Sequence, residues 1–424
     1  MTKKSRYSLL LAGFIIFVVL APLIVLYVRG ESYNFKTHSF VATGIFGIQA
    51  QPKSVDIFLD GVEKRSSAGD IKFVPAGEYQ LTLKKSGYQS WSKRLAITAG
   101  QVTWANPANN YIYLLLSAPA AKTLDQTVLD FYGTPDNFVY LTGSDITIGS
   151  THYSLPENAD KILAHDAGNK NFVLEGASTS PQTLLYFNSD SGNFTDLSVL
   201  FSTMPQMQFS GSGDLFALSA GNLYTVDAAN KIKTPIFQNV KAFYAQGNDL
   251  YYIQEKLGAL SLFVSQEPFA QSQTLLTTAP NFQSGNLIVT FEKKIFLEAD
   301  NSLYEDTGTF EQISNNVANF NFDPNTSILS FFHSGEFDYI DSNQNLNFIT
   351  RTGQSLNNLA INTNIGYAFY STNSQLTAIE LDTRSNQNQY VLYTGTNIEK
   401  FSVDSSGQNI LVMDDGELKS LKIR

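Results

Sequence analysis

The chain has 424 residues, a formal net charge of −10 and no cysteine, which excludes a disulfide framework, a thiolate metal site and a cysteine nucleophile. The acidity argues against nucleic acid, since a phosphate backbone is bound by clustered Lys and Arg. Aromatic residues make up 13% of the chain, with 31 Phe and 21 Tyr, against 16% charged, a composition that supplies large cores and favours strands over disorder.

Residues 1–7 precede a run of 21 apolar or small residues, Ser8 to Val28 (SLLLAGFIIFVVLAPLIVLYV), without a charge. As a helix it would extend about 31 Å, roughly the hydrocarbon thickness of a bilayer. A cleavable secretory signal has an apolar core of only about 7–15 residues. Here Leu26–Glu31 also lacks the small-x-small pattern of a cleavage site, so a retained transmembrane anchor over residues 8–28 is expected. Pro22 is tolerated in such a helix. Lys3, Lys4 and Arg6 precede the span, while Arg29 and then Lys36 follow it. The positive-inside bias therefore puts residues 1–7 in the cytoplasm and residues 29–424 outside.

Residues 29–44 show no sustained periodicity and read as a stalk. From 45 to 115 short strands alternate with turns. Val55–Leu59 ends in Asp60-Gly61, a two-residue hairpin signal. Ile71–Val74 leads to Pro75-Ala76-Gly77, and Glu78–Leu83 alternates strictly before a turn at Lys85–Tyr88. Trp91–Ile97 and Gln101–Trp104 complete about five antiparallel strands, enough for a small sandwich. Tyr79, Leu81 and Leu83 share one strand face, and Tyr88 with Trp91 should cap the core.

Pro52, Val55, Ile57, Asp60, Gly61, Pro75, Gly77, Glu78, Tyr79, Leu81, Leu83, Lys85, Gly87, Tyr88, Trp91, Ile97 and Gly100 stand in an order that resembles the PEGA family of small β-sandwich modules. The chain departs from the family pattern at Ser66-Ser67-Ala68-Gly69, where a Thr-Pro pair is usual. The resemblance implies an extracellular or envelope module, often tethered and often beside a propeller or enzyme domain. No catalytic residues come with it.

From 116 to 424 a loose repeat runs to the end. Its clearest copy is Met207–Phe209, a Ser210-Gly211-Ser212-Gly213 turn, Asp214–Leu218, then Gly221–Asp227. Echoes lie at Phe320–Phe332, Phe401–Met413, Ala242–Ile253 and Phe282–Thr290. Units start near 128, 160, 204, 241, 280, 318, 355 and 396, a spacing of about 32–44 residues that suits propeller blades. The last unit has room for three strands, so 120–126 is expected to supply its outer strand by circular closure. The fold expected is all-β with one N-terminal transmembrane helix: a small PEGA-like β-sandwich plus a seven- or eight-bladed β-propeller, eight favoured. An array of sandwiches is the rival, though its units would be near 100 residues long. No Trp-Asp signature assigns the repeat to WD40 blades.

The chemistry is sparse. His38, His152, His165 and His333 are isolated and read as loop or core residues, without the spacing of a zinc site. Asp300-Asn301, Asp404 and Asp414-Asp415-Gly416 lack the spacing of a calcium loop and read as hairpin caps. Asn193-Phe194-Thr195 and Asn325-Thr326-Ser327 match the glycosylation triplet at chance density. No catalytic, cofactor-binding or metal-binding residue is nominated and no cofactor is expected. The function expected is a membrane-anchored extracytoplasmic binding protein of the cell envelope, its sandwich acting as a spacer for a propeller that binds a protein or a cell-wall glycan. Two alternatives stand beside it: a surface hydrolase or lyase in the propeller channel, with carboxylates or a His–carboxylate pair at one mouth, and a scaffold subunit of an envelope assembly. The expected partners are the bilayer and an unidentified envelope protein or glycan.

Overall fold

A computed structural model describes residues 3–28, 30–34, 38–107, 111–176, 183–267, 269, 273–290, 292–323 and 326–424. Arg29, Lys36 and Asn325, which enter the expectations above, lie outside the described residues. Helix α1 (Lys3–Val28) contains Pro22 and is long and apolar enough to cross a membrane. It is apolar on every side and its described core side chains, from Leu10 to Leu20, are exposed. A helix of that kind needs an apolar surrounding that the rest of the chain does not supply.

The segment expected to be a stalk instead carries two strands, β1 (Glu31–Asn34) and β2 (Ser39–Gly47), paired antiparallel. The first residues of β2 are mostly exposed, so no apolar alternation marks them. Long-range pairing makes the strand. Gly44 lies so close to the chain that a Cβ there would meet the Thr98 carbonyl at 2.5 Å and that of Gln101 at 2.9 Å.

Beyond it come β3 (Gln49–Gln51), β4 (Asp56–Leu59), β5 (Val62–Arg65), β6 (Ile71–Pro75), β7 (Gly77–Lys84), β8 (Trp91–Ile97), β9 (Val102–Trp104) and β10 (Tyr111–Tyr113). One sheet has the order β5-β4-β7-β8; in the other β2 lies between β1 and β6 and also pairs β9. The β2–β9 and β3–β10 pairs are parallel, unlike the all-antiparallel set expected. Asp60 and Gly61 take φ of 49° and 76°, the left-handed pair that a type I′ hairpin requires. Phe46, Ile48, Val55, Ile57, Leu81, Leu83, Trp91, Leu95 and Ile97 form the core between the sheets, with Tyr79 and Tyr88 packed against it.

Among the described residues eight four-stranded sheets follow. Their first strands are Asp130–Thr134, Ala159–His165, Gln206–Phe209, Val240–Gln246, Gly285–Val289, Val317–Asp323, Asn358–Asn362 and Ile398–Val403, starting blades I to VIII in that order. First strands of successive blades contact one another from blade I to V and from VI to VIII, blade VIII contacts blade I, and blades V and VI pack through a shared apolar cluster, so they form an inner ring around an axis. Blade VIII is completed by β11 (Ala121–Asp125), which pairs antiparallel with Glu417–Lys422. The expected closure and the count of eight are what the structure has.

The second strand of each blade has a neighbour on both edges and another blade on both faces. Its sequence is accordingly a continuous apolar run rather than an alternating one. Leu250–Ile253, Ile328–Phe332, Tyr367–Tyr370 and Ile410–Met413 are all buried.

In a four-stranded meander the turns after the first and third strands lie at one end of the blade. The turns after the second strand and the crossovers to the next blade lie at the other. The sandwich docks on the first of these ends, at blades VII and VIII. Its Lys93, with no exposed side-chain surface, lies 3.1 Å from Glu380 and 3.6 Å from Asp382. Trp91 Nε1 donates to Glu380 at 2.8 Å, and so does Asn388 Nδ2. Arg384 ties Asp382 to the sandwich, donating to the Trp104 and Ala105 carbonyls at 3.1 and 2.6 Å. Tyr390 donates to the Ser90 carbonyl at 3.0 Å, and Arg424 to the Gln51 side chain at 3.1 Å.

Asp414 closes blade VIII against blade VII. It accepts from Tyr393 at 2.6 Å, from the Thr396 and Asn397 amides at 2.9 Å each and from Lys419 at 3.0 Å. Burial works to raise its pKa, but these donors outweigh it and hold the carboxyl at about 2.

Lys93→Ala leaves buried Glu380 without its cation and should cost about 3–5 kcal/mol, the range for breaking a buried pair, read as a lowered denaturant midpoint. Glu380→Gln keeps one acceptor oxygen for Trp91 but turns an amide NH2 toward the donors Asn388 and Lys93, and should lower the midpoint as well. Because the Asp414 pKa is depressed on folding, its stabilisation is complete above the unfolded carboxyl value and is lost as pH falls toward about 2. Asp414→Asn should therefore be less stable at pH 7 yet show a flatter midpoint-versus-pH curve between pH 4 and pH 2.

Candidate functional site

The inner strands are edge strands, and their outward amides and carbonyls need partners. Amide side chains supply several. Gln208 of blade III exchanges two hydrogen bonds with Ala245 of blade IV. Gln246 donates to the Thr290 carbonyl of blade V at 2.9 Å. Asn319 and Asn321 of blade VI donate to the Asn357 and Leu359 carbonyls of blade VII. Asn358 and Asn362 donate in turn to those of Glu399 and Asp404. The axis-side amides thus stitch one blade to the next.

Charge gathers on the axis where the ring closes. Lys400 of blade VIII lies 3.0 Å from Asp130 of blade I and donates to the Phe131 carbonyl at 2.6 Å, while Asp130 accepts from the Ile162 amide of blade II at 2.9 Å. Tyr132 stacks on His165 with ring centroids 3.5 Å apart. Burial pushes the Tyr132 hydroxyl up, as does the negative charge of Asp323 from blade VI. Burial also depresses His165, whose Nδ1 donates to the Asp166 carbonyl at 2.9 Å. Among the described residues this cluster holds Lys400, Asp130 and the Tyr132–His165 ring pair, with the charge of Asp323 nearby; Lys400 and Asp130 are engaged with each other and with backbone groups.

The other histidines are dispersed. His38 lies 3.4 Å from the Tyr33 hydroxyl and His152 lies 2.8 Å from that of Thr147. His333 is not isolated. Its Nε2 donates to Asp338 at 2.9 Å, and Glu336 faces it across the Ser334-Gly335 turn of blade VI. One donor atom from each of His333, Glu336 and Asp338 lies within 4.8 Å of the others, so this trio could hold a divalent ion. As the side chains stand, His333 serves Asp338 and Glu336 is paired with Arg351. Asp338 is buried and its Oδ1 has no hydrogen-bond partner; burial raises its pKa, partly offset by His333. A His–carboxylate pair thus lies on the second and third strands of blade VI, where His333 pairs with Val317 at the start of the inner strand.

The acidic turns spend their carboxylates on backbone amides. Asp404 accepts from Gln408 and Asn409 at 2.8 and 2.9 Å, and Asp300 from Gln283 and Ser284 at 3.1 and 3.2 Å. Ser210–Gly213 is a turn between two strands, with Gly213 at φ 95°. Asn193 and Thr195 lie on a strand of blade II.

On the end of the propeller opposite the sandwich, Glu157, Thr183, Asp196, Ser198, Phe201 and Met204 line a groove between blades II and III. Val199 beside it and Leu257, at the tip of a blade IV hairpin, are exposed.

Single-residue inspection missed the His333 trio, although the turn at Ser334-Gly335 implies that positions 333 and 336 face each other. Asp130 with Lys400, and Lys93 with Glu380, are separated by about 270 and 290 residues, and no local pattern signals them. Because burial favours the neutral imidazole, an NMR titration should place the His165 midpoint below 6.5, and Tyr132→Ala should move it back toward that value.

No curated protein matches the sequence. Among solved structures the chain is similar to a eukaryotic initiation factor, with 13% identity, a TM-score of 0.49 and coverage of 71% of this chain and 85% of that one. It is also similar to the C-terminal WD40 domain of Sif2 (11% identity, TM-score 0.46, coverage 73% and 97%) and to a streptogramin B lyase (10%, 0.42, 69% and 100%). The PEGA domain family model matches residues 43–109. Over that segment the chain carries the PEGA domain pattern, beside an eight-bladed β-propeller.

Proposed function

We propose that this chain is a membrane-anchored, extracytoplasmic binding protein in which α1 spans the bilayer and the propeller presents its free end to an envelope protein or a cell-wall glycan. One observation carries the reading. The sandwich joins α1 and docks through Lys93, Glu380, Asp382 and Arg384 on one end of the propeller, so the opposite end is turned away from the helix. That end holds the Glu157–Met204 groove and the exposed Val199 and Leu257. Convergent loops on a rigid ring suit recognition, and a groove of hydroxyls, carboxylates and one aromatic ring suits a glycan or a polar peptide. The PEGA pattern, a resemblance that goes with tethered envelope modules, agrees. The engaged state of the axis cluster supports binding over hydrolysis.

The absence of cysteine permits a direct test. Leu257→Cys in intact cells should react with a membrane-impermeant maleimide, and the purified chain should co-sediment with peptidoglycan sacculi or cross-link to an envelope protein through position 199. Labelling of position 257 only after lysis would overturn the orientation. Failure of both capture experiments would overturn the binding role.

A further inference from the structure

The last turn of α1 touches the sandwich. The Tyr27 ring lies 5.3 Å, centroid to centroid, from the ring of Phe73, and both side chains are exposed. The link between helix and sheet is short and hydrogen-bonded. The Gly30 amide donates to the Tyr27 carbonyl at 3.1 Å, and the Gly30 carbonyl accepts from the amide and the hydroxyl of Thr43.

Phe73 reaches the helix by an unusual backbone. In β6 the pairing with β2 jumps from Gly44↔Val74 to Phe46↔Ile71, a bulge in which Lys72 and Phe73 share one position of the partner strand. Phe73 has φ of 58°, a left-handed conformation uncommon for a bulky side chain and costing on the order of 1–3 kcal/mol. The bulge keeps Val74 in the sandwich core, 4% exposed, and turns the Phe73 ring out, 39% exposed. The strained residue sets its phenyl ring against the end of an apolar helix and outside the sandwich core cluster. Lys72, beside it, is exposed as well.

We propose that this edge of the sandwich rests in the membrane interface, with Phe73 and Tyr27 at headgroup depth and Lys72 beside lipid phosphates. The proposal rests on the reading of α1 as a membrane span. A spanning helix that ends at Val28 puts Tyr27 in the interfacial zone where aromatic rings concentrate. A ring in contact with Tyr27 shares that depth. The long side chain of Lys72 can then lay its methylenes along the interface and hold its ammonium at the level of the lipid phosphates. Exposed Tyr27 at the end of α1 touches exposed Phe73, so the bilayer that covers the helix end reaches the ring. The sandwich is therefore seated on the membrane rather than swinging above it.

The test uses the full chain in lipid nanodiscs that contain phosphatidylglycerol, with an environment-sensitive fluorophore on single cysteines introduced by Phe73→Cys, Phe14→Cys or Leu257→Cys. Position 14 reports the span and position 257 the free end of the propeller. The expected result is that position 73 is quenched by a shallow spin-labelled lipid and is several-fold less sensitive to aqueous iodide than position 257. A label at Lys72→Cys repeats the measurement should the Phe73 variant fail to fold. If position 14 is quenched from the lipid while positions 72 and 73 are as open to iodide as 257, the sandwich stands clear of the bilayer and the proposal falls with the span intact. If position 14 is itself open to iodide, the span reading fails and the proposal with it.

Discussion

Each blade of this protein is a sheet with two apolar faces, and neither face is satisfied until another blade covers it. Phe296, Leu303, Leu329, Phe331 and Ile340 are buried together between blades V and VI, and comparable clusters fill other gaps. A row of such sheets would leave one face bare at each end. Only a closed ring removes both ends, so the rest of the architecture follows from how the ring is closed. The chain closes it with β11, a strand drawn from before blade I and paired with the last strand of the chain.

That closure also places the sandwich. β11 follows the last sandwich strand after a few residues, and on the way the Leu116 amide donates to the Ile423 carbonyl at 2.8 Å. The sandwich has little freedom to settle elsewhere than on the end of blades VII and VIII where β11 begins. The buried charges refine this placement. A buried ion pair adds little net stability compared with a well-packed apolar contact, but it penalises misalignment heavily, because any slip leaves a charge without its partner. Lys93, Glu380, Asp382 and Arg384 thus act as a register for the interface. The free end of the propeller is determined by the same two devices, the closing strand and the charge lock.

The axis shows a similar economy. Inner-strand asparagines and glutamines look in isolation like ligands for a sugar or an ion. In the ring they satisfy carbonyls and amides of the neighbouring inner strand, a demand created by the eightfold arrangement itself. On the proposed reading, recognition falls to the loops of the free end and the groove between blades II and III.

The sequence by itself determined whatever depends on neighbours along the chain. The charge-free run from Ser8 to Val28 declares a helix for an apolar surrounding. Asp60-Gly61 sets a hairpin, and the units of about 38 residues with their buried second strands declare blades, down to the shortage of one strand in the last. Tertiary structure decided what depends on residues far apart. Strand β2 exists because β6 and β9 pair with it, not because its own residues alternate. Lys93 is an ordinary exposed-looking lysine until blade VII surrounds it, and His333 is a lone histidine until the hairpin brings Asp338 to its Nε2. The physical reason is that backbone torsions and apolar periodicity act over a few residues, whereas burial and charge pairing are properties of the space around a side chain, which comes into being only when the ring closes.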